Sequence, residues 1–257
     1  MSKIIAIANQ KGGVGKTTTA VNLAAALAKE DKKVLALDLD PQGNMSEYLG
    51  FEYDNKPSIS DLLMDASSNQ LKDETIITSV RRNAEGIDYI PADIKLAGAD
   101  LFLSNVMCRE QVLSRLLRRE VFKSYDYIFI DCLPSLGILL TNALAAADSM
   151  IIPVQAQKFA LDGLTQLEQV YDLVKCNINP ALRIEGVILT MVDMTNMSKA
   201  VEKALEDKYK DILFKTRVHR SVEATNSTYE QKSMVSIKNS KLGAEYLKIT
   251  QELLERG

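Results

Sequence analysis

Seven short runs dominated by aliphatic residues punctuate the chain, at 4–8, 34–39, 87–90, 127–130, 150–154, 184–190 and 212–214. They are nearly unbroken rather than alternating, the pattern of strands buried on both faces. Between them lie stretches of helical length and composition, at 17–29, 60–71, 96–106, 111–121, 136–147, 161–174, 199–208 and 241–254. Strands alternating with helices predict βαβ units, hence an α/β fold with a doubly wound, mostly parallel sheet flanked by helices. No repeat, low-complexity tract or linker interrupts the pattern, so residues 1–257 are expected to form a single domain.

The first run passes through Asn9-Gln10-Lys11-Gly12-Gly13-Val14-Gly15-Lys16-Thr17-Thr18 into an alanine-rich helix. A strand, a glycine loop and a helix in that order make a phosphate cradle, because glycines let backbone N–H groups converge and the helix start adds partial positive charge. Lys16 is then expected to reach the β- and γ-phosphates, and the Thr17 hydroxyl to ligate Mg²⁺. The standard G-x-x-x-x-G-K-[ST] pattern lacks its first glycine, since Gln10 stands there, and an additional lysine, Lys11, sits inside the loop. A glycine turn without a ligand is the plain alternative.

Carboxylates close two other runs. Asp38 and Asp40 lie two residues apart and so on one face of the chain. Ligands in open α/β sheets sit beyond the carboxyl ends of strands, although an aspartate there also serves as an ordinary turn residue. Asp131 ends the run Tyr127-Ile128-Phe129-Ile130 and is expected to hold Mg²⁺ directly or through water. Cys132 follows it; with no histidine partner in view it is read as packing rather than as a thiolate.

The string Lys11-Gly12-Gly13-Val14-Gly15-Lys16-Thr17-Thr18 resembles the deviant Walker A motif of the ParA/MinD ATPase superfamily. Asp38-Leu39-Asp40-Pro41-Gln42-Gly43-Asn44 and Asp131-Cys132-Leu133-Pro134-Ser135 are similar to further motifs of its ParA/Soj-type partition members. So are Ile90-Pro91-Ala92, Ala160-Leu161-Asp162-Gly163-Leu164 and Arg217-Val218-His219-Arg220. The resemblance implies a P-loop NTPase fold in which Lys11 crosses a dimer interface to the partner's phosphates, Asp40 positions the attacking water and Asp38 supports Mg²⁺. It also implies an adenine pocket near Met191 and the Arg217–Val218 region. ATP is favoured over GTP because Thr190-Met191-Val192-Asp193 lacks the lysine of a guanine-reading [NT]-K-x-D string. The family usually has proline where Thr216 stands and glutamate where Gln157 stands.

Composition excludes other classes. Hydrophobic residues make up 46% and charged residues 25% of 257, near the globular average, so extensive disorder is not expected. Three widely spaced cysteines support neither a disulfide framework nor a zinc knuckle, and a reducing cytoplasm is expected. The first ten residues lack the form of a signal peptide, and no apolar run reaches the roughly 18–20 residues of a membrane span. The acidic end, Gln251-Glu252-Leu253-Leu254-Glu255, argues against a lipid-binding helix of the MinD kind. The loop starts so early that an operator-binding domain upstream is not expected.

The net charge of −3 conceals an asymmetry: residues 199–241 hold ten lysines and arginines against six acids. A solvated face is one reading. With the resemblance, the segment implies nonspecific double-stranded DNA binding by Arg217 and Arg220, strengthened when a homodimer doubles the patch. The expected function is a MgATP-dependent, dimerising partition ATPase, nucleoid-associated and stimulated by a ParB-like centromere-binding protein. The alternative is a MinD-like or other ParA-type positioning switch that recruits a protein cargo rather than DNA.

Overall fold

The computed structural model describes residues 2–157 and 160–256, with the side chains of residues 160–162 outside the description. The strands are β1 (Lys3–Ile7), β2 (Val34–Leu39), β3 (Arg81–Arg82), β4 (Asp88–Ile90), β5 (Tyr127–Cys132), β6 (Ser149–Gln155) and β7 (Arg183–Thr190). They form one seven-stranded sheet in the order β3-β4-β2-β5-β1-β6-β7. Every neighbouring pair is parallel except β3 with β4.

The helices are α1 (Lys16–Lys29), α2 (Asn44–Tyr48), α3 (Ile59–Ser67), α4 (Asp73–Ser79), α5 (Ala99–Phe102), α6 (Val112–Leu117), α7 (Ile138–Ala146) and α8 (Ala160–Asn177). The last three are α9 (Asn196–Tyr209), α10 (Glu223–Tyr229) and α11 (Lys241–Arg256). Two cores sandwich the sheet. The period-two alternation of β1 sends Ile5 and Ile7 to a core shared with α1, α2 and α11, and Ala6 and Ala8 to one shared with α3, α6, α7 and α9. Residues pointing both ways are apolar, which is why the strands read as continuous runs.

Several expected elements take another form. Residues 212–214 are no strand; Leu213 makes one isolated bridge to Val187. The helices expected at 96–106 and 111–121 shrink to α5 and α6, separated by Cys108 in the left-handed region at φ 52°. The helix expected at 60–71 stops at Ser67, just before Asn69 turns the chain at φ 57°. Helices α2 and α4 and the edge strand β3 are additional to the expected elements, and α10 begins at Glu223, within the 217–224 stretch that resembles a basic loop and helix start.

Topology places the chemistry. Helix α1 carries the chain from β1 over to β2, and β5 lies between these two strands. The parallel register sets Ile7 beside Asp131 and Asp38 beside Asp131, so the loop after β1 and both strand-end carboxylates meet at the carboxyl end of the sheet.

Candidate functional site

The glycine loop joins β1 to α1 through Gly13 at φ 71° and Gly15 at φ 88°, a left-handed conformation that disfavours side chains. It is pinned from behind. Asn9 Nδ2 donates to Pro153 O at 2.7 Å, Asn9 Oδ1 accepts from Lys11 N at 2.9 Å, and Thr190 Oγ1 donates to Val14 O at 2.8 Å. Lys16 opens α1 and its ammonium folds back over the loop to donate to Lys11 O at 3.2 Å. Only 8% of Lys16 is exposed, and this burial pushes its pKa down, partly offset by Asp131. A buried ammonium with one backbone acceptor lies ready for an anion.

Beneath the loop, Thr17 Oγ1 donates to Asp131 Oδ2 at 2.6 Å. The second oxygen, Asp131 Oδ1, is buried without a hydrogen-bond partner. Burial pushes the Asp131 pKa up, and the neighbouring Asp38 carboxylate pushes it further. A hydroxyl and an unpartnered carboxylate oxygen are hard donors of the kind Mg²⁺ takes. Among the described residues no cluster of three His, Cys, Asp or Glu could hold a metal. That fits an ion completed by phosphates and water rather than by an all-protein cage.

Asp38 is engaged differently. Its Oδ2 accepts from Ser46 N at 2.8 Å and Ser46 Oγ at 2.7 Å, and its Oδ1 accepts from Asp40 N at 3.1 Å. Ser46 Oγ in turn accepts from Ala92 N at 3.0 Å. Of the two carboxylates expected at the metal, Asp38 is thus committed to folding the 40–46 segment, and Asp131 keeps the open oxygen. Asp40 is partly exposed, with Oδ1 held by Gln42 N at 3.0 Å. It faces a cavity of about 460 Å³ that Gly12, Gly13, Lys16 and Thr17 also line. Gly12 is exposed, and a Cβ there would meet nothing within 4 Å. Cys132 is 1% exposed and burial pushes its thiol pKa up, so it packs rather than reacts.

A second cavity, of about 370 Å³, adjoins the first through Gly15, Thr18 and Met191, which line both. Val218, His219 and Tyr246 are among its other lining residues. Met191, expected near the adenine, lines both cavities. Arg217, expected there as well, lines neither: its guanidinium pairs with Glu202 at 2.7 Å and Glu206 at 3.0 Å and reaches Phe214 O. Those glutamates are on α9, so Arg217 is drawn away from the cavity and is only 16% exposed. Arg220 is exposed, lines the second cavity and makes no ion pair among the described residues.

Sequence reading missed Thr190, which props the loop, and His219, whose Nδ1 lies 2.6 Å from Glu245 Oε1. The position of Thr190 at the carboxyl end of a strand was a usable signal. The pairing of His219 with α11 was not visible locally.

Comparison with known proteins accords with this geometry. The AAA domain family matches residues 2–184. The sporulation initiation inhibitor protein Soj of Bacillus subtilis is 44% identical over 261 residues, covering 100% of both chains. The chromosome partitioning protein ParA of Myxococcus xanthus is 41% identical over 100% of this chain and 89% of its own. A crystal structure of cobyrinic acid a,c-diamide synthase from Mycobacterium smegmatis, with bound ADP and magnesium, superimposes with a TM-score of 0.84. It is 32% identical and covers 99% of this chain and 95% of that one. With a glycine loop, two carboxylate-tipped strands and identity of this order over the full length, the chain belongs to the ParA/Soj family of partition ATPases, within the ParA/MinD superfamily.

Proposed function

We propose that this protein, acting through residues 1–257 as one domain, hydrolyses MgATP slowly, dimerises around bound nucleotide and binds DNA nonspecifically as the ATP dimer. A ParB-like centromere-binding protein stimulates turnover and releases the DNA. The observation that carries the nucleotide reading is the Thr17–Asp131 contact, with the orphaned Asp131 Oδ1 beneath a loop that already holds the Lys16 ammonium. Neither group is satisfied by the protein alone, and a phosphate chain with its cation satisfies both.

Loop amides from Gly12 to Thr18, with the N-terminus of α1, bind the phosphates. Lys16 spans the β- and γ-phosphates, and Met191 borders the base. Thr17 and Asp131 would hold Mg²⁺, which neutralises charge on the β- and γ-oxygens when bound. Asp38 fixes the 40–46 segment so that Asp40 sets the attacking water. Lys11, whose carbonyl but not its ammonium is engaged by its own loop, supplies a cation to the partner subunit's phosphates. Exposed Gly12 lets two such loops approach closely.

DNA binding is supported by Arg220, Lys232, Lys238 and Lys241, which are exposed and in no ion pair among the described residues. No helix among the described residues is long and apolar enough to cross a membrane. The proposed location is the cytoplasm, on the nucleoid. One observation favours the cargo-recruiting reading: Met194, Val222 and Tyr229 are 90%, 75% and 90% exposed, an apolar display suited to a protein partner. Calorimetric titration with MgATP, followed by phosphate release with and without duplex DNA, tests the proposal. Saturable binding with slow turnover is expected; absence of either contradicts it.

A further inference from the structure

Helix α10 buries one side chain. Of its seven residues only Ser227 is buried, at 0% exposure. Its Oγ lies 2.6 Å from the hydroxyl of Tyr48, the last residue of α2, which is itself 1% exposed. Ser227 Oγ also donates to Ala224 O at 3.0 Å, so Tyr48 is the donor to Ser227. Tyr48 Oη in turn accepts from Asn22 Nδ2 at 3.4 Å, and the same Asn22 amide donates to Thr18 O at 2.8 Å, inside the first turn of α1. Asn22 Oδ1 accepts from Val235 N at 3.3 Å, beyond α10. A single buried chain of polar groups thus runs from the phosphate loop through Tyr48 to α10.

The two ends of this chain face the same cavity. Tyr48 and Thr228 line the phosphate cavity with Asp40, Gln42 and Asn44. The residues just before α10, Arg220 and Ser221, line the adjoining one. Helix α2 is fixed at its start by Ser46 on Asp38, so the strand-end carboxylate, α2 and α10 are linked in series. The sequence of α10, Glu223-Ala224-Thr225-Asn226-Ser227-Thr228-Tyr229, is rich in poor helix formers and presents no apolar stripe. Besides this contact, α10 is held to the body by the hydrogen bond that Ser240 Oγ donates to Glu223 Oε2 at its first residue and by the packing of Ala224 against the core.

We propose that the Tyr48–Ser227 hydrogen bond is a strut through which nucleotide in the phosphate cavity positions α10 and the basic segment that precedes it. Tyr48 is a positioning residue: it acts through Ser227 and not on the reacting atoms. The strut rests on the nucleotide-binding reading and goes beyond it, because a nucleotide site would work equally well with α10 anchored by an apolar side chain. Burial pushes the Tyr48 phenol pKa up, which favours the protonated hydroxyl that donates to Ser227.

Hydrogen exchange on the full chain tests the strut, with wild type, Tyr48→Phe and Ser227→Ala each measured alone, with MgADP and with a non-hydrolysable ATP analogue. Calorimetry on the same samples reports nucleotide occupancy. Wild type is expected to gain protection over residues 223–229 when the analogue binds. Either variant should cut that gain about five- to tenfold, the worth of one net hydrogen bond, while amides of the phosphate loop and α1 keep their nucleotide-dependent protection. Ser227→Ala removes the hydroxyl from the far side of the contact, so it reports even where Tyr48→Phe disturbs the core. A gain at 223–229 that is unchanged in both variants would overturn the strut. So would a loss equal with and without nucleotide, the mark of a merely structural anchor. Bound nucleotide without protection of 223–229 in wild type overturns the strut alone; no bound nucleotide overturns the nucleotide reading and the strut with it.

Discussion

Thr17 donates its hydroxyl hydrogen to one oxygen of Asp131 at 2.6 Å, and the other oxygen of that carboxylate is buried with nothing to accept from. An unsatisfied buried acceptor costs about 1–3 kcal/mol, and here Asp38 alongside adds like-charge repulsion. Asp131→Asn is therefore expected to raise the melting temperature of the nucleotide-free protein at neutral pH while abolishing its stabilisation by MgATP. Thermal denaturation with and without MgATP checks both halves. An Asn variant that is destabilised when free, or still stabilised by MgATP, contradicts the assignment.

Lys16 and Asp40 line the same cavity but act at different stages. Lys16→Ala leaves the phosphates without their buried cation and should bring MgATP binding below detection by calorimetry. Asp40→Ala should bind ATP within a few-fold of wild type and lose turnover by about 100-fold, the lower range for a positioned acid–base group. Normal phosphate release from Asp40→Ala would remove that residue from the mechanism.

Lys11 lends its own loop backbone groups, its N–H to Asn9 Oδ1 and its carbonyl to Lys16 Nζ. In the Asp40→Ala background, light scattering should give a dimer mass with ATP and a monomer mass with ADP. Adding Lys11→Ala should return the ATP sample to monomer while nucleotide still binds. Equal masses with both nucleotides would sink the sandwich arrangement.

Gly243 offers a test of packing near the second cavity. Helix propensity favours alanine over glycine by about 1 kcal/mol in a helix interior. A Cβ at Gly243, however, would stand 2.2 Å from Met234 O and 2.8 Å from Met234 C, backbone that cannot step aside. Overpacking of this kind costs about 1–3 kcal/mol, so the clash wins. Gly243→Ala is expected to lower the urea midpoint; a raised midpoint would show that the 234–236 turn yields.

The sheet and phosphate loop were legible because their signals are local. Unbroken aliphatic runs give β1, β2 and β5, and the glycine string directly precedes α1. Asp38, Asp40 and Asp131 could be placed because the carboxyl ends of parallel strands converge. Arg217 was misplaced for the opposite reason: Glu202 and Glu206 precede it by 15 and 11 residues, and only the fold of α9 brings them to it. Helix α10 carries no periodic apolar pattern and is held by Tyr48, 179 positions away from Ser227. The 94–124 region reads as two helices by composition, but the left-handed Cys108 breaks it into short turns.

The basic segment sharpens accordingly. Reversing Arg217 would strip two glutamates of their partner and disturb α9, so it reports on folding as well as on DNA. Arg220 is exposed and makes no ion pair among the described residues, so Arg220→Glu should weaken DNA binding for all sequences alike and leave nucleotide-dependent dimerisation intact. Gel-shift titrations beside light scattering separate the two effects; unchanged affinity would point to a solvated face instead.

Nucleotide is expected to gate DNA binding. Sedimentation with two unrelated duplexes, across a salt series and with ATP, ADP or no nucleotide, measures this directly. The expected result is tight binding with ATP only, equal for both duplexes, with log affinity falling by about 0.9 per phosphate contact against log salt and more steeply for the ATP dimer than for the monomer. Binding that ignores nucleotide, prefers one duplex or keeps the same salt slope in every state would contradict it and favour recruitment of a protein cargo.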